Sequence, residues 1–240
     1  MLLNLHNVYA GYEGGDVLKG IDLQVEQGTT TCIVGPNGAG KSTVLRVLSG
    51  LLRPRLGEIS FDGRSIGGLA PRQILALGIV QVPQSHSLFP GMTVQQNVRL
   101  GAYMLNDKAL VERRLRGIEE MFPIVKTRAG DKAGNLSGGQ QRLVEFARCL
   151  MLNPHLILLD EPSMGLDPRT FKQVIDTIKM MQSSGRTIVL VEQNARTGLS
   201  LADNGVVLES GRVRLEGPHT EILNNPEIGR LYLGGTLSNA

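Results

Sequence analysis

The stretch that decides the fold is residues 35–43, GPNGAGKST, which matches the pattern G-x-x-x-x-G-K-[ST] from Gly35 to Ser42. An apolar run precedes it at 32–34, and apolar residues at helical spacing follow it at 44–51. A strand, a loop and a helix in this order are the setting in which the pattern binds phosphate. A chance glycine-rich turn is the alternative, and the flanking strand and helix argue against it. The sequence therefore predicts a nucleoside triphosphate site.

The residue types of this loop suit a chain of phosphates. Its glycines let the backbone turn so that successive N–H groups point into one concavity. The helix that begins near Lys41 adds the positive end of its dipole. We expect the Lys41 amine to reach the β- and γ-phosphates and the Ser42 hydroxyl to ligate Mg²⁺. The candidate nucleotide-binding residues of the loop are Gly35, Pro36, Asn37, Gly38, Ala39, Gly40, Lys41, Ser42 and Thr43.

The bulk composition is typical of a globular protein that folds unaided. The chain has 240 residues, of which 41 % are hydrophobic and 20 % charged. No apolar run approaches the ~20 residues that span a bilayer, and the N-terminus carries no signal pattern. The sequence thus predicts a cytoplasmic chain that reaches a membrane only through a partner. Cys32 and Cys149 lie in apolar segments, and we expect them to be buried, reduced thiols.

The charge of the chain does not indicate nucleic acid as a partner. The formal net charge is +3, and no basic run is dense. The nearest cluster is formed by Arg113, Arg114 and Arg116, on a predicted helix whose other face is apolar. We interpret it as a solvated face, with a phosphate or lipid contact as the alternative.

Hydrophobic periodicity predicts one α/β domain over 1–240, with an antiparallel β edge and an inserted helical lobe. Residues 2–9 and 17–25 alternate as antiparallel strands do, with a flexible turn around Tyr12 between them. Helical spacing from about 93 to 152 interrupts the β-and-α alternation, so the helical lobe is predicted at about 85–155. Other predictions are strands at 29–34, 57–63, 79–82, 156–159 and 187–191, a helix at 169–182 and a hairpin at 206–215.

Two acidic residues follow a strand that is predicted to be buried. The run LILL at 156–159 is typical of a parallel strand covered on both faces, and it leads into Asp160-Glu161-Pro162. Ligands gather at the carboxyl ends of such strands. We expect Asp160 to hold Mg²⁺, directly or through water, and Glu161 to orient or deprotonate an attacking water. A plain charged loop is the alternative, which the phosphate loop in the same chain disfavours.

The segment LSGGQ at 136–140 begins another predicted helix. Ser137 and Gln140 have the spacing of a capping box, and Gly138 and Gly139 leave the helix end open. One interpretation is a simple helix cap, and the other is a second phosphate-binding helix terminus. Within one molecule this terminus would compete with the phosphate loop for the same phosphate. The second interpretation therefore requires a nucleotide held by another subunit.

The motifs GPNGAGKST, LSGGQ and LILLDEP, in this order, resemble those of the ATPase subunits of ABC transporters, and the resemblance covers essentially the whole chain. It implies that ATP and Mg²⁺ are bound in a dimer with a second ATPase subunit, identical or related. Each ATP would lie between the phosphate loop of one subunit and the LSGGQ of the other. The resemblance further implies two membrane permease subunits and a solute-binding protein as partners, and a location on the inner face of the cell membrane.

Four more residues match positions of the family's motifs. Tyr12 corresponds to the aromatic residue that stacks on adenine, with an ordinary surface tyrosine as the alternative. Gln84 corresponds to the glutamine that contacts Mg²⁺ and the membrane subunit, and Asp167 to the acidic residue that acts across the dimer. Gln193 stands where most of these ATPases carry a histidine beside the γ-phosphate. A glutamine there can still donate a hydrogen bond through its amide.

The variant Glu192-Gln193-Asn194-Ala195 and the ending LYLGG at 231–235 resemble one of the two ATPase subunits of branched-chain amino acid importers. Relatives that serve urea and short amides are the alternative, because a full match would have Glu in place of Gln84 and Leu-Ala-Pro at 166–168. A soluble ATPase acting on nucleic acid would need a long coiled-coil insertion. A translation-associated protein with these motifs would carry two ATP-binding cassettes in one chain, and this sequence contains the motifs of one cassette.

The segment LFPGM at 88–92 places apolar side chains on a turn just after Gln84. We expect this surface, with the adjoining helical lobe, to receive a short helix of the membrane subunit. Burial of Leu88 or Phe89 in the core is the alternative.

Overall fold

The structure, a computed structural model, describes residues 1–85 and 87–226. The strands are β1 (Leu3–Tyr12), β2 (Gly15–Val25), β3 (Thr30–Val34), β4 (Leu56–Phe61), β5 (Arg64–Ser65), β6 (Ile79–Val82), β7 (Leu156–Asp160), β8 (Thr187–Val191), β9 (Asn204–Glu209) and β10 (Arg212–Pro218). The α-helices are α1 (Lys41–Leu48), α2 (Pro71–Ala76), α3 (Val94–Leu100), α4 (Lys108–Met121), α5 (Pro123–Thr127), α6 (Gly138–Leu150), α7 (Pro168–Ser183), α8 (Ala195–Ser200) and α9 (His219–Leu223).

A mostly parallel sheet forms the centre of the molecule. Its strand order is β10-β9-β3-β8-β7-β6, and only β10 pairs antiparallel to its neighbour. Every residue of β3, β7 and β8 is buried, as expected of strands covered on both faces. Alternate residues enter opposite cores: Ile157 and Leu159 lie in one, Leu156 and Leu158 in the other. Because β3, β6, β7 and β8 run parallel, their carboxyl ends lie at the same edge of the sheet.

The two faces of this sheet are covered by different layers. On one face lies the antiparallel sheet β2-β1-β4-β5, packed in one core with α1 and α2. On the other face lie α3 to α8, which share the second core. Helices α3 to α6 fall between β6 and β7, where the sequence places the helical lobe. The predicted fold class is confirmed, while the bounds of the lobe at 85–155 and the single domain over 1–240 stay predictions.

The first hairpin is longer than predicted. Tyr12 is the last residue of β1 and pairs with Gly15 across a two-residue turn, so it does not sit in a flexible loop. Register shifts, one of them between Ala10 and Gly11, let the strand continue past the predicted end. The hairpin predicted at 206–215 does form, around Ser210 and Gly211, both with positive φ as a tight turn of this kind requires.

Helices α2, α8 and α9 were not predicted, because five or six residues are too few for helical periodicity to register. Local signals existed for two of them. Pro71 opens α2, with the Gln73 side chain accepting from the Ala70 N–H at 2.9 Å. Asn194 caps α8 by accepting from the Thr197 N–H at 3.0 Å.

The two cysteines are buried, as the sequence predicts. Cys32 and Cys149 are both buried, and burial raises the pKa of the Cys149 thiol to about 12.

Of the arginine cluster on α4, Arg114 does not simply face solvent, because its guanidinium donates to the Met151 carbonyl at 2.9 Å. No helix among residues 1–85 and 87–226 is long and apolar enough to cross a membrane. The segment 231–235 lies outside the described residues.

Candidate nucleotide site

The phosphate loop (residues 35–43) joins β3 to α1 and requires glycine at two of its turns. Gly35 has φ of 155°, and a Cβ built on it would lie 2.1 Å from the carbonyl oxygen of Leu208. Gly40 has φ of 107°, and its Cβ would lie 2.8 Å from the Leu18 side chain. Side chains at these positions would therefore displace the loop from the sheet. The loop is packed tightly from behind, so its open side faces away from β9.

Lys41 lies at the first position of α1, and its ammonium group turns back to contact the phosphate loop. The side chain is 5 % exposed, and its Nζ donates to the carbonyls of Gly35 at 2.9 Å and Pro36 at 3.1 Å. Both of these partners are neutral carbonyls, so neither of them offsets the positive charge of the ammonium. This arrangement suits a phosphate group placed in the loop.

The phosphate loop and three strand ends line one cavity of about 500 Å³. Gln84 comes from the end of β6, Glu161 from the end of β7 and Gln193 from the end of β8. The parallel register explains this meeting, since Glu161 N–H donates to Val191 O at 2.9 Å. We call this space the catalytic cavity, after the role that is proposed for it below. Its lining residues are Val17, Asn37, Gly38, Gly40, Lys41, Ser42, Thr43, Gln84, Glu161, Met164 and Gln193.

Ser42 and Asp160 form a pair of oxygen groups beside this cavity. The Ser42 hydroxyl donates to Asp160 Oδ1 at 3.0 Å, and Asp160 is only 6 % exposed. Burial raises the pKa of the Asp160 carboxyl, while the Ser42 hydrogen bond and the nearby Arg46 charge lower it. A hydroxyl and a carboxylate are hard oxygen donors of the kind that Mg²⁺ prefers, so the residues fit that ion.

Glu161 is held in an unusual backbone conformation. Its φ is 44°, a left-handed value that costs a residue with a side chain on the order of 1–3 kcal/mol. The side chain is oriented by Gln84, whose Nε2 donates to Glu161 Oε2 at 2.9 Å. Strain of this kind persists only where the surroundings impose it, and here it turns the carboxylate of Glu161 into the catalytic cavity.

Sequence reasoning gave no role to Met164 or Glu192. Met164 lines the catalytic cavity, and its sulfur accepts from Gln84 Nε2 at 3.2 Å. Glu192 follows the apolar strand β8 and is 2 % exposed, so burial raises the pKa of its carboxyl. Its Oε1 accepts from the Ser163 N–H at 3.3 Å. The rule that singled out Glu161, an acidic residue after a buried strand, could have found Glu192.

Tyr12 lies apart from the residues that line the catalytic cavity. Its ring is 48 % exposed, and the Arg46 guanidinium lies 5.9 Å from the ring centroid. Arg46 also donates to the Tyr12 hydroxyl at 3.0 Å. One ring face is thus partnered by a cation, which is an arrangement that aromatic and cationic groups favour. The adenine contact stays a prediction.

The LSGGQ segment and Asp167 are also placed away from the catalytic cavity. Ser137 caps α6 by accepting from the Gln140 N–H at 3.4 Å, while Gln140 Oε1 accepts from the Ser137 N–H at 3.1 Å. Gly138 is exposed, and Gly139 packs so closely on α7 that a Cβ would lie 1.9 Å from the Thr170 side chain. Ser137, Gln140 and Asp167 line a different cavity, of about 710 Å³.

Asp167 caps α7. Its Oδ1 accepts from the N–H groups of Arg169 at 3.0 Å and Thr170 at 3.1 Å. The hydrogen bonds from Thr170 lower the pKa of the Asp167 carboxyl. Asp167 is therefore a negatively charged group at the exposed start of a helix.

A phosphate loop between a buried parallel strand and a helix, with carboxylate and amide groups at the neighbouring strand ends, defines a nucleotide-binding ATPase domain. The family model of the ABC transporter matches residues 18–164. The chain belongs to this family and is an ABC-type ATPase.

Individual relatives match along nearly their whole length. The high-affinity branched-chain amino acid transport ATP-binding protein BraG of Pseudomonas aeruginosa is 36 % identical, over 98 % of this chain and 100 % of its own. The probable branched-chain amino acid transport ATP-binding protein LivF of Archaeoglobus fulgidus is 34 % identical, over 97 % and 99 %.

Solved structures show the same fold. The ADP conformation of MJ1267, an ATP-binding cassette of an ABC transporter, has a TM-score of 0.87 at 28 % identity, over 98 % of this chain and 99 % of that one. A dimeric post-hydrolysis state of the cassette MJ0796, bound to ADP and Pi, has a TM-score of 0.80 at 28 % identity, over 91 % and 99 %.

Proposed function

We propose that this chain binds ATP and Mg²⁺ at the catalytic cavity and uses ATP hydrolysis to drive the import of branched-chain amino acids through separate permease subunits. The observation that carries the proposal is the meeting of the phosphate loop with Gln84, Glu161 and Gln193 in one cavity. The amino acid substrate is supported by BraG and LivF, whose names assign them to that transport and which match almost the whole chain.

Different groups of the cavity would bind the phosphates of ATP and carry out its hydrolysis. The N–H groups of the phosphate loop and the Lys41 amine would hold the phosphates. Glu161 would accept a proton from the attacking water, and the Gln84 amide, already on Glu161, would keep that carboxylate oriented. Mg²⁺, when bound, would offset the negative charge of the phosphates, with Ser42 and Asp160 as its oxygen ligands and Gln84 beside them.

A second ATPase subunit, identical or related, would complete the site. Ser137, Gln140 and Asp167 lie together around another cavity, so they do not reach this chain's own phosphate loop cavity as lining residues. An open helix N-terminus with Gly138 and Gly139 is suited to the phosphates of a nucleotide held by that second subunit. Tyr12 would stack on the adenine of the ATP that this chain's own phosphate loop holds. The dimeric MJ0796 cassette supports this assembly.

Gln193 would position the γ-phosphate or the water without carrying a proton, since an amide is neutral over the working pH range. The hydrogen bond from a glutamine amide to an anionic oxygen contributes about 1.5–3 kcal/mol. We expect Gln193→Ala to slow ATP turnover about ten- to a hundredfold, measured by phosphate release. Gln193→His should stay active and gain a titrating limb near pH ~6.5 in its rate profile, because an imidazole changes charge there.

Asn194→Ala is the matched control for Gln193→Ala. Asn194 is the next residue and is exposed, but it caps α8 and is absent from the lining of the catalytic cavity. It should lower thermal stability while leaving turnover within about twofold. If turnover is untouched in Gln193→Ala, residue 193 is a bystander and the hydrogen bond to the γ-phosphate is ruled out.

An apolar groove lies beside the loop that carries Gln84. Its volume is about 370 Å³, and Phe89 and Tyr103 at its rim are 55 % and 59 % exposed. Leu88, in contrast, packs partly into the helical core. The floor comes from β6, α2 and α6, so the groove joins the parallel sheet to the helices that follow it. We propose that a short helix of a permease subunit docks here.

We expect Phe89→Ser to weaken copurification of this chain with its permease subunits while the isolated chain still binds ATP. A serine removes the exposed ring that would anchor the docked helix. Leu51→Ser is the control, because Leu51 is 64 % exposed just after α1 and does not line the groove. Intact assembly of the Phe89→Ser complex would refute the docking site.

Transport in cells tests the function as a whole. Cells from which the chain has been deleted should regain uptake of radiolabelled leucine, isoleucine and valine when they carry the wild-type chain, and not when they carry Glu161→Gln. Uptake of labelled urea is measured in parallel. Loss and recovery of urea uptake, with amino acid uptake unchanged throughout, would overturn the assigned substrate and leave the ATPase intact.

A further inference from the structure

Helix α6 carries a buried ion pair, one turn after the LSGGQ segment. Arg142 is 3 % exposed and Glu145 is 1 % exposed, and their Nη1 and Oε2 atoms lie 2.9 Å apart. Burying two charges is costly and is tolerated where both make further hydrogen bonds. Both residues do so, and their partners belong to one short loop.

That loop is the segment 83–87, of which the structure describes residues 83–85 and 87; it follows β6 and carries Gln84. The Arg142 guanidinium donates to the carbonyls of Pro83 at 2.8 Å and Gln84 at 2.7 Å. Glu145 Oε1 accepts from the backbone N–H of Ser87 and from its hydroxyl at 3.1 Å. Arg142 of α6 thus holds the start of the segment 83–87, and Glu145 of the same helix holds its end.

A third residue of α6 adds to the same attachment. The Arg148 guanidinium donates to the Ser87 carbonyl at 2.8 Å and also contacts the Ser87 hydroxyl. Between these fixed ends, the Gln84 side chain points the other way and donates to Glu161 at 2.9 Å. A displacement of the segment by 1 Å would break that hydrogen bond.

We propose that Arg142 and Glu145 are positioning residues for ATP hydrolysis, which hold the segment 83–87 on α6 so that the Gln84 amide stays on the Glu161 carboxylate. This inference rests on the proposed role of Glu161. The pair acts on Glu161 through Gln84, and the Arg142 charge is also one of the nearby charges that lower the pKa of the Asp160 carboxyl. Loss of the pair therefore slows the chemical step while the phosphate-binding groups remain as they are.

The decisive variant replaces both charges together. Arg142→Met/Glu145→Met fills the same space with apolar side chains, and removing a buried pair in this way often leaves stability unchanged or higher. The carbonyls of Pro83 and Gln84 and the N–H of Ser87 lose these partners, so the melting temperature is measured to establish that the variant is folded. Its kcat should fall about ten- to a hundredfold, since misplacement of an orienting group by about 1 Å has effects of that size. The KM for ATP should stay within about twofold.

A fluorescent reporter tests the position of the segment without using activity. The chain contains no tryptophan, so Ser85→Trp introduces a single indole at an exposed position of the segment. In the double methionine background, the fluorescence anisotropy of this indole should fall and its quenching by acrylamide should rise. Glu112→Gln is the control, because it breaks the Arg99–Glu112 pair, which lies between α3 and α4. It should alter neither the reporter nor kcat.

An unchanged kcat together with an unchanged reporter overturns the proposal. If the double variant fails to fold, Arg142→Lys decides, because it keeps the charge beside Glu145 and loses the paired donation to the carbonyls of Pro83 and Gln84. It should lower kcat a few-fold at unchanged KM, and a wild-type kcat refutes the inference. Glu161→Gln is measured alongside: wild-type turnover there refutes the base assignment, whereas the reporter still shows whether the pair holds the segment.

Discussion

Glu161→Gln should bind ATP as the wild type does and hydrolyse it at least ~10²-fold more slowly. The glutamine keeps the size of the side chain, and its Oε1 can still accept the hydrogen bond that Gln84 now gives to Glu161. What it loses is the ability to take a proton from water. Steady-state phosphate release gives the turnover, and equilibrium binding of a fluorescent ATP analogue gives the affinity.

Glu192→Gln is the matched control for this variant. Glu192 is another buried carboxylate at a strand end, but it lines a neighbouring cavity and not the catalytic one. Its replacement should change turnover by less than about threefold, a small effect on the scale of a lost catalytic group. Turnover of Glu161→Gln close to that of the wild type would show that another group takes the proton.

Lys41→Ala should lower ATP affinity and turnover together. The Lys41 amine lies buried inside the phosphate loop, so it would meet the phosphates in the bound state as well as in the transition state. A hydrogen bond to a charged group contributes about 1.5–3 kcal/mol, which corresponds to a loss of affinity of about ten- to a hundredfold. With the added effect on the chemical step, kcat/KM should fall on the order of 10²- to 10³-fold.

The control for Lys41→Ala is Lys108→Ala. Lys108 is an exposed lysine at the first position of α4, the same place in a helix that Lys41 holds in α1. Its removal should leave ATP binding unchanged. Retained affinity in Lys41→Ala would mean that the backbone N–H groups of the loop hold the phosphates without this charge.

The sequence predicts the centre of the fold well, for a physical reason. Strands β3, β7 and β8 are buried on both faces, so they read as continuous apolar runs, and the polar residue that ends each run must lie at a carboxyl edge. That rule was enough to bring Asp160 and Glu161 next to the phosphate loop, whereas Gln193 was assigned from the resemblance of its position to a motif of the family. The strand-end rule depends only on the direction of the strands, which the alternation of β-strands and α-helices predicts to be parallel.

The groups that hold the site could not be predicted in this way. The contact of Arg142 with the carbonyl of Gln84 joins residues 58 positions apart, and no local pattern encodes it. Met164 lies in the cavity because the chain turns sharply after Glu161, whose positive φ has no signature in a residue type that rarely adopts it. The end of β1 was misjudged for a related reason, since a bulge interrupts the alternation that marks a strand.

A single-turnover measurement of the chemical step tests the role of Glu161 most directly. Radiolabelled ATP is bound to an excess of the chain, Mg²⁺ is added, and the reaction is quenched at intervals so that cleavage is followed apart from product release. The wild type should convert bound ATP to ADP, and Glu161→Gln should retain intact ATP for at least ~10²-fold longer at equal occupancy. Identical time courses for the two proteins would contradict this role of Glu161.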